Sequence, residues 1–97
     1  MIVNGKEEIL RLSLNALADL ERRLETKTIS DFISSFEKGT FTANELVAIL
    51  SAAYFGANHR HINFSEASIE GGIKEAVEAA SKLLIYAFVG YQNAKHD

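Results

Sequence analysis

The stretch Phe41 to Ala57, FTANELVAILSAAYFGA, carries apolar or small residues on nearly every side of a helix, so every other segment has to pack around it. Its start is well signalled. Thr42 is a good N-cap, Glu45 three residues later completes a capping box, and Phe41 is placed to staple onto Leu46 across the first turn. Gly56 reads as the stop. Wound at the helical period, Leu46, Ile49, Leu50, Ala53, Tyr54 and Ala57 share one broad face, while Ala48 and Ala52 line the back with side chains small enough for a second helix to approach closely. Nothing in the stretch is chemically reactive, so it organises a core without announcing a function.

At 97 residues the chain is expected to form a single domain over residues 1–97. A domain of that size buries roughly 60 to 65 per cent of the surface its unfolded form exposes, enough for a modest core. With no cysteine there are no disulfides or thiolate zinc sites, and the composition is compatible with a reducing compartment. The longest strongly apolar run, Leu83 to Val89, is far short of the ~20 residues of a spanning helix, so a cytoplasmic, soluble protein is expected, with virion association as a further destination. The formal net charge is −3 and the basic residues are scattered, which argues against nucleic acid or membrane partners.

Asn4-Gly5 is a favoured two-residue hairpin turn, and Leu10, Leu12 and Leu14 then alternate with polar neighbours, so residues 1–14 are expected to form a β-hairpin with a half-buried second strand. Residues 15–95 then form a helical body. From about Asn15 the period lengthens, and Leu17, Leu20 and Leu24 share a helix face. Thr28, with Asp31 as a weaker capping partner, opens a second helix whose Ile29, Phe32, Ile33 and Phe36 form an apolar stripe ended by Gly39. Beyond the central helix, Asn58 to Asn63 reads as a polar loop, Ser65 as the cap of a short helical turn with Phe64 stapled onto Ile69, and Gly71-Gly72 as a break. The last helix, about Ile73 to Gln92, carries an inner stripe from Ile73 through Ala76, Val77, Ala80, Leu83, Leu84, Ala87 and Phe88 to Tyr91. Ile85, Tyr86 and Val89 occupy its other side, so both sides of its second half need a cover. The N-terminal hairpin is the expected one, and another polypeptide is the alternative.

No set of residues assembles a catalytic centre, so no enzymatic activity is expected. His59 and His61 could share a metal only with a third ligand, and Asn63 and Glu66 complete no established ligand spacing; the sequence thus implies no metal and no cofactor. Gly71-Gly72 opens a helix as phosphate loops do, but it lacks their frame and adjoins Glu70. Glu7-Glu8, Glu75 and Glu78 fall on faces expected to be exposed, with nothing to desolvate them. Tyr54 and Phe55, with Ile62 and Phe64 just beyond, form either an apolar docking groove or, on the simpler reading, the closure of the core beneath the loop.

In sum the sequence predicts a mainly α fold: a small bundle of about four helices with a short N-terminal β-hairpin. That order of elements resembles a family of small proteins from tailed phages and gene transfer agents, known as tail proteins or tail assembly chaperones. The resemblance spans roughly residues 2–90. It is carried by LRLSLNALADLE from Leu10 to Glu21, by Glu45-Leu46 with the small-residue end Ser51 to Gly56, and by Gly71-Gly72 before the long amphipathic helix. What the resemblance implies is a protein of tail morphogenesis, most simply an assembly chaperone that shields the helical tape-measure protein. Tyr54, Phe55, Ile85, Tyr86 and Val89 would form its partner-binding patch. A permanent component of the tail tube or its terminator, in contact with tube subunits, is the alternative, and a homo-oligomer is compatible with either. Tube subunits usually need a substantial sheet, and this chain offers one hairpin. A helical DNA-binding regulator is remote, because the would-be recognition helix from Thr42 to Phe55 contains no Arg or Lys.

Overall fold

A computed structural model describes residues 1–23 and 28–95. The order is β1 (Ile2–Val3), β2 (Lys6–Glu7), α1 (Leu14–Arg23), α2 (Ile29–Lys38), α3 (Ala43–Asn58) and α4 (Gly72–Lys95), a mainly α fold with an N-terminal hairpin. Helix α4 packs against α1, α2 and α3, and α1 also packs on α3. Ile49, Ala53, Ala80 and Leu84 sit where α3 and α4 meet the core, all fully buried. The polar beginnings of the two middle helices are built as their sequences imply. Thr28 and Asp31 form one reciprocal capping box and Thr42 and Glu45 another, with the Thr42 amide donating to the Glu45 carboxylate at 2.8 Å. Each box satisfies two amides that a helix start leaves orphaned.

The hairpin turns through Asn4 (φ 53°) and Gly5 (φ 80°), the pair of positive φ angles that a two-residue turn between twisted strands requires. Its register pairs Ile2 with Glu7 and Val3 with Lys6. Two residues per strand would be marginal alone. A third extended piece supports them: the Asn4 amide donates to the Ser68 carbonyl at 2.7 Å, the Glu70 amide donates to Ile2, and Val3 bridges Ile69. The loop before α4 thereby completes what the hairpin lacks.

Beyond Glu7 the expected second strand does not continue as a strand. Residues 8–13 still alternate, with Glu8 and Leu12 buried, Leu10 half-buried, and Ile9 and Arg11 outside. The ladder partner, however, is the backbone of α3. The Arg11 amide donates to the Ala53 carbonyl at 2.9 Å, and the Asn58 amide side chain reaches the Ile9 carbonyl at 3.0 Å. This arm explains Gly56, which does not stop the helix: α3 runs on to Asn58 and is capped by His59 in the left-handed conformation. A Cβ at position 56 would collide with the carbonyl oxygen of Arg11, so the glycine is what lets the arm lie down on the helix.

Other expectations shift in detail. Ser13 caps α1, its hydroxyl accepting from the Ala16 amide at 3.1 Å, so the helix starts one residue before Asn15. Leu17 and Leu20 are buried as the stripe predicts, and Leu24 lies outside the described residues. Phe41 stacks on Phe36 at 4.5 Å. No helix forms at Ser65: Asn63 accepts from the Ser65 amide in a local turn, and Phe64 is buried edge-on against Tyr54 at 5.8 Å. Ile73 stands exposed at the start of α4, a turn before the stripe reaches the core at Ala76.

The arm's dependence on position 56 is testable. Replacing a helical glycine by alanine ordinarily stabilises by about 1 kcal/mol. Gly56→Ala is expected instead to destabilise by about 1 to 3 kcal/mol in denaturant unfolding, because displacing the arm forfeits packing and two backbone-anchored hydrogen bonds.

Candidate functional site

The five residues singled out as a patch fall into three different places. Tyr54 is 1 % exposed and belongs to the core, so it cannot be part of an open surface, and Phe64 closes over it as the simpler reading of that segment expects. Its phenol meets Glu8, a buried carboxylate on the arm, and the guanidinium of Arg60 lies 5.6 Å from its ring centre and 3.8 Å from the Glu8 carboxylate. Lys6 approaches the other Glu8 oxygen at 3.9 Å. Sequence reasoning places Glu8 on an exposed face; the two-residue alternation of the arm turns it inward together with Leu10 and Leu12. A buried carboxylate persists there because a phenol and two cations surround it.

Burial raises the pKa of Tyr54 above its ordinary value of 10.0, with the neighbouring Glu8 adding to the shift and Arg60 opposing it. The folded state thus holds the phenol proton more tightly than the unfolded chain does, and this contribution is intact below pH 10 and lost as pH climbs through the raised value. Comparing urea midpoints of wild type and Tyr54→Phe from pH 8 to 11 should therefore show a smaller alkaline loss of stability in the variant, at the expense of a lower plateau at neutral pH.

Phe55, 42 % exposed, points the other way from Tyr54 and forms a wall of a groove of about 490 Å³ between α1 and α3, floored by Ala16, Ala52 and Gly56. His61 stacks on its face at 4.5 Å and 14°, and His59 meets its edge at 6.2 Å. Both imidazoles are thus engaged with an aromatic ring at the groove mouth. Among the described residues no group of three or more His, Cys, Asp or Glu side chains is arranged to hold a metal.

Ile85, Tyr86 and Val89 stand on the outer side of α4, exposed by 43 %, 74 % and 50 %. The expected cover by the hairpin is not there. Its arm is tied to α3 by one backbone hydrogen bond and one from the Asn58 side chain, and reaches α4 along one flank, where a second groove, about 430 Å³, separates Ile9 and Leu10 from Leu83 and Tyr86. The acidic side chains Glu75 and Glu78 border this groove at its other end. Phe88 and Tyr91 have side chains outside the described ones.

Gly71-Gly72 serves the backbone here. The Gly72 amide bonds the Ile69 carbonyl, and a Cβ on Gly71 would come within 2.8 Å of the Glu75 side chain, which packs over the turn where an anion would have to sit. No described helix is long and apolar enough to cross a membrane.

No curated protein and no solved structure matches the chain. A family model does, over residues 1–90, and it takes in the hairpin, the arm, α1 to α3 and α4 as far as residue 90, with Ile85, Tyr86 and Val89. The chain therefore belongs to the family of the phage tail tube protein, GTA-gp10.

Proposed function

We propose that this tail protein acts as an assembly chaperone, a non-catalytic protein that holds the helical tape-measure protein in the cytoplasm until tube subunits polymerise around it. The observation that carries the proposal is the exposed row Ile85, Tyr86 and Val89 on the longest helix, beside a groove walled by Ile9 and Leu83. An amphipathic helix laid along α4 would set its own apolar side chains into that groove. Partial exposure of three large side chains suits a cover that can be removed. Supporting the same reading, the sheet among the described residues has two strands of two residues each, a small basis for the extended strand pairing of a tube wall.

A second reading is favoured by the family's own description as a tail tube protein: the same face would make permanent contacts in the tube or its terminator. Co-expression with the tape-measure protein encoded nearby, affinity capture, and mass spectrometry of purified particles separate the two. Capture of the tape measure together with absence of this chain from finished tails is the expected result. Presence in finished tails without capture would replace the chaperone reading by the structural one.

Substituting single charges into the face locates the contact. Tyr86→Asp and Val89→Asp should each weaken capture by about tenfold or more, as for central apolar anchors in other interfaces, while leaving the thermal unfolding midpoint within 2 to 3 °C of wild type. Loss of folding in these variants would place the face inside the core and remove it as a docking surface.

A further inference from the structure

The Asn4-Gly5 turn that joins β1 to β2 is also a chemically reactive pair. A backbone nitrogen that reaches the side-chain carbonyl carbon of the asparagine before it closes a five-membered succinimide, and a side chain on the second residue crowds that ring. Alone of the chain's asparagines, Asn4 precedes a glycine; Asn15, Asn44, Asn58, Asn63 and Asn93 all precede residues that carry a Cβ. Asn4 and Gly5 are exposed, so water reaches both. The register pairs Val3 with Lys6, which leaves the Gly5 nitrogen in the turn and outside the ladder. We infer that Asn4 is a site of spontaneous deamidation, held in check by its clamp on Ser68 and freed to react when the hairpin lifts from the loop before α4.

The chemistry needs only water. The Gly5 nitrogen gives up its proton and bonds to the Asn4 Cγ; the Cγ–Nδ2 bond breaks, and the amide nitrogen departs as ammonia. Water then opens the ring at one of its two carbonyls. Opening at Cγ leaves an ordinary aspartate. Opening at the main-chain carbonyl leaves an isoaspartate, in which the chain runs on through Cγ and is one carbon longer. Either product adds a negative charge.

The folded chain restrains the first bond. Asn4 has φ 53°, in the left-handed region where ψ is about +30 to +60°, and this turns the Gly5 nitrogen away from the Asn4 Cβ. Ser68 locks both backbone and side chain: its carbonyl accepts from the Asn4 amide at 2.7 Å, and its own amide donates to the Asn4 Oδ1 at 2.9 Å. Ring closure therefore waits on local opening of the clamp, which a hairpin of two residues per strand resists only weakly. An isoaspartate cannot return to the same place. The extra carbon lengthens a turn whose two residues fix the register, so the Ser68 clamp and the bond from the Glu70 amide to Ile2, at 3.0 Å, are lost together. The modification is thus a one-way release of the hairpin from the segment that leads into α4, whatever the face of α4 meets.

Peptide mapping by mass spectrometry, on the purified full-length chain held at mildly alkaline pH in buffer and in denaturing urea, tests this. Asn4 should be the first asparagine converted, and at least about tenfold more slowly in buffer than in urea. Ser68→Pro removes the amide that holds Oδ1 and should speed conversion in buffer severalfold, with the helical circular dichroism unchanged. Should that variant lose its helical signal, the wild-type ratio between buffer and urea decides. Amide exchange by NMR reads the consequence: the Glu70 amide should be protected in the unmodified chain and unprotected in the separated isoaspartyl form, while Ala80 and Leu84 stay protected in both. An Asn4 that persists in urea, equal rates in buffer and urea, a folded Ser68→Pro that reacts no faster, or an isoaspartyl form that keeps Glu70 protected would each overturn the inference.

Discussion

Helix α3 has to be covered on more sides than one neighbouring helix can reach, and the rest of the structure follows from that requirement. Leu46, Ile49, Leu50, Ala53 and Tyr54 are all buried, and α1 and α4 take only part of the circumference. The remainder falls to an extended arm, residues 8–13, which an α-helix can accept only if its own surface is flat at the contact. Gly56 provides the flatness, and the Arg11 to Ala53 hydrogen bond uses a helix carbonyl that has a second lone pair to offer. The arm in turn carries Glu8 to Tyr54 and hands the chain over to α1 through the Ser13 cap. A backbone-to-helix contact of this kind is sensitive to one methyl group, which is a stronger constraint than most apolar packing imposes.

What the sequence makes legible is local chemistry. The capping boxes at Thr28 and Thr42, the Asn4-Gly5 turn, the glycine after α2 and the buried stripes of α1 and α3 depend on residues within a turn or two of one another, and all are present. The errors share a different character. Gly56 reads as a helix stop because glycine often is one, but its reason lies 45 positions away, at Arg11. Leu10 and Leu12 alternate as in a strand, and alternation reports only that one side is buried, not whether a strand or a helix lies alongside. Glu8 looks exposed because a carboxylate usually is, and its partners Tyr54 and Arg60, at and just past the C-terminal end of α3, are far from it in sequence. The Ser65 cap fails for a longer-range reason, since the Ser68 amide it would bind donates instead to the Asn4 side chain at 2.9 Å.

The candidate surface was half legible on the same principle. Adjacent residues on a helix point about 100° apart, so Tyr54 and Phe55 cannot share an environment once one of them is in the core. The sequence shows both as apolar aromatics; the fold gives one to Glu8 and the other to the α1/α3 groove. On α4 the reverse holds. Ile85, Tyr86 and Val89 break the polar side of an otherwise divided helix, and that irregularity survives into the structure as an uncovered face because the hairpin is committed to α3 and the Ser68 to Glu70 segment.

The magnitude of that face bears on how it is used. Burying a large apolar side chain completely is worth about 1.5 to 3 kcal/mol, and Ile85, Tyr86 and Val89 are each already part-covered, so together they offer on the order of 5 kcal/mol. Association costs about 4 to 15 kcal/mol in lost freedom before any surplus appears. The row alone therefore supports a weak, exchangeable contact. A partner that also fills the neighbouring groove beside Ile9 and Leu83 gains the additional apolar area, and a long helix is the shape that can do both at once. A permanent subunit contact would call for a larger closed interface, commonly above 2,000 Å², and would have to draw on surface beyond Ile85, Tyr86 and Val89.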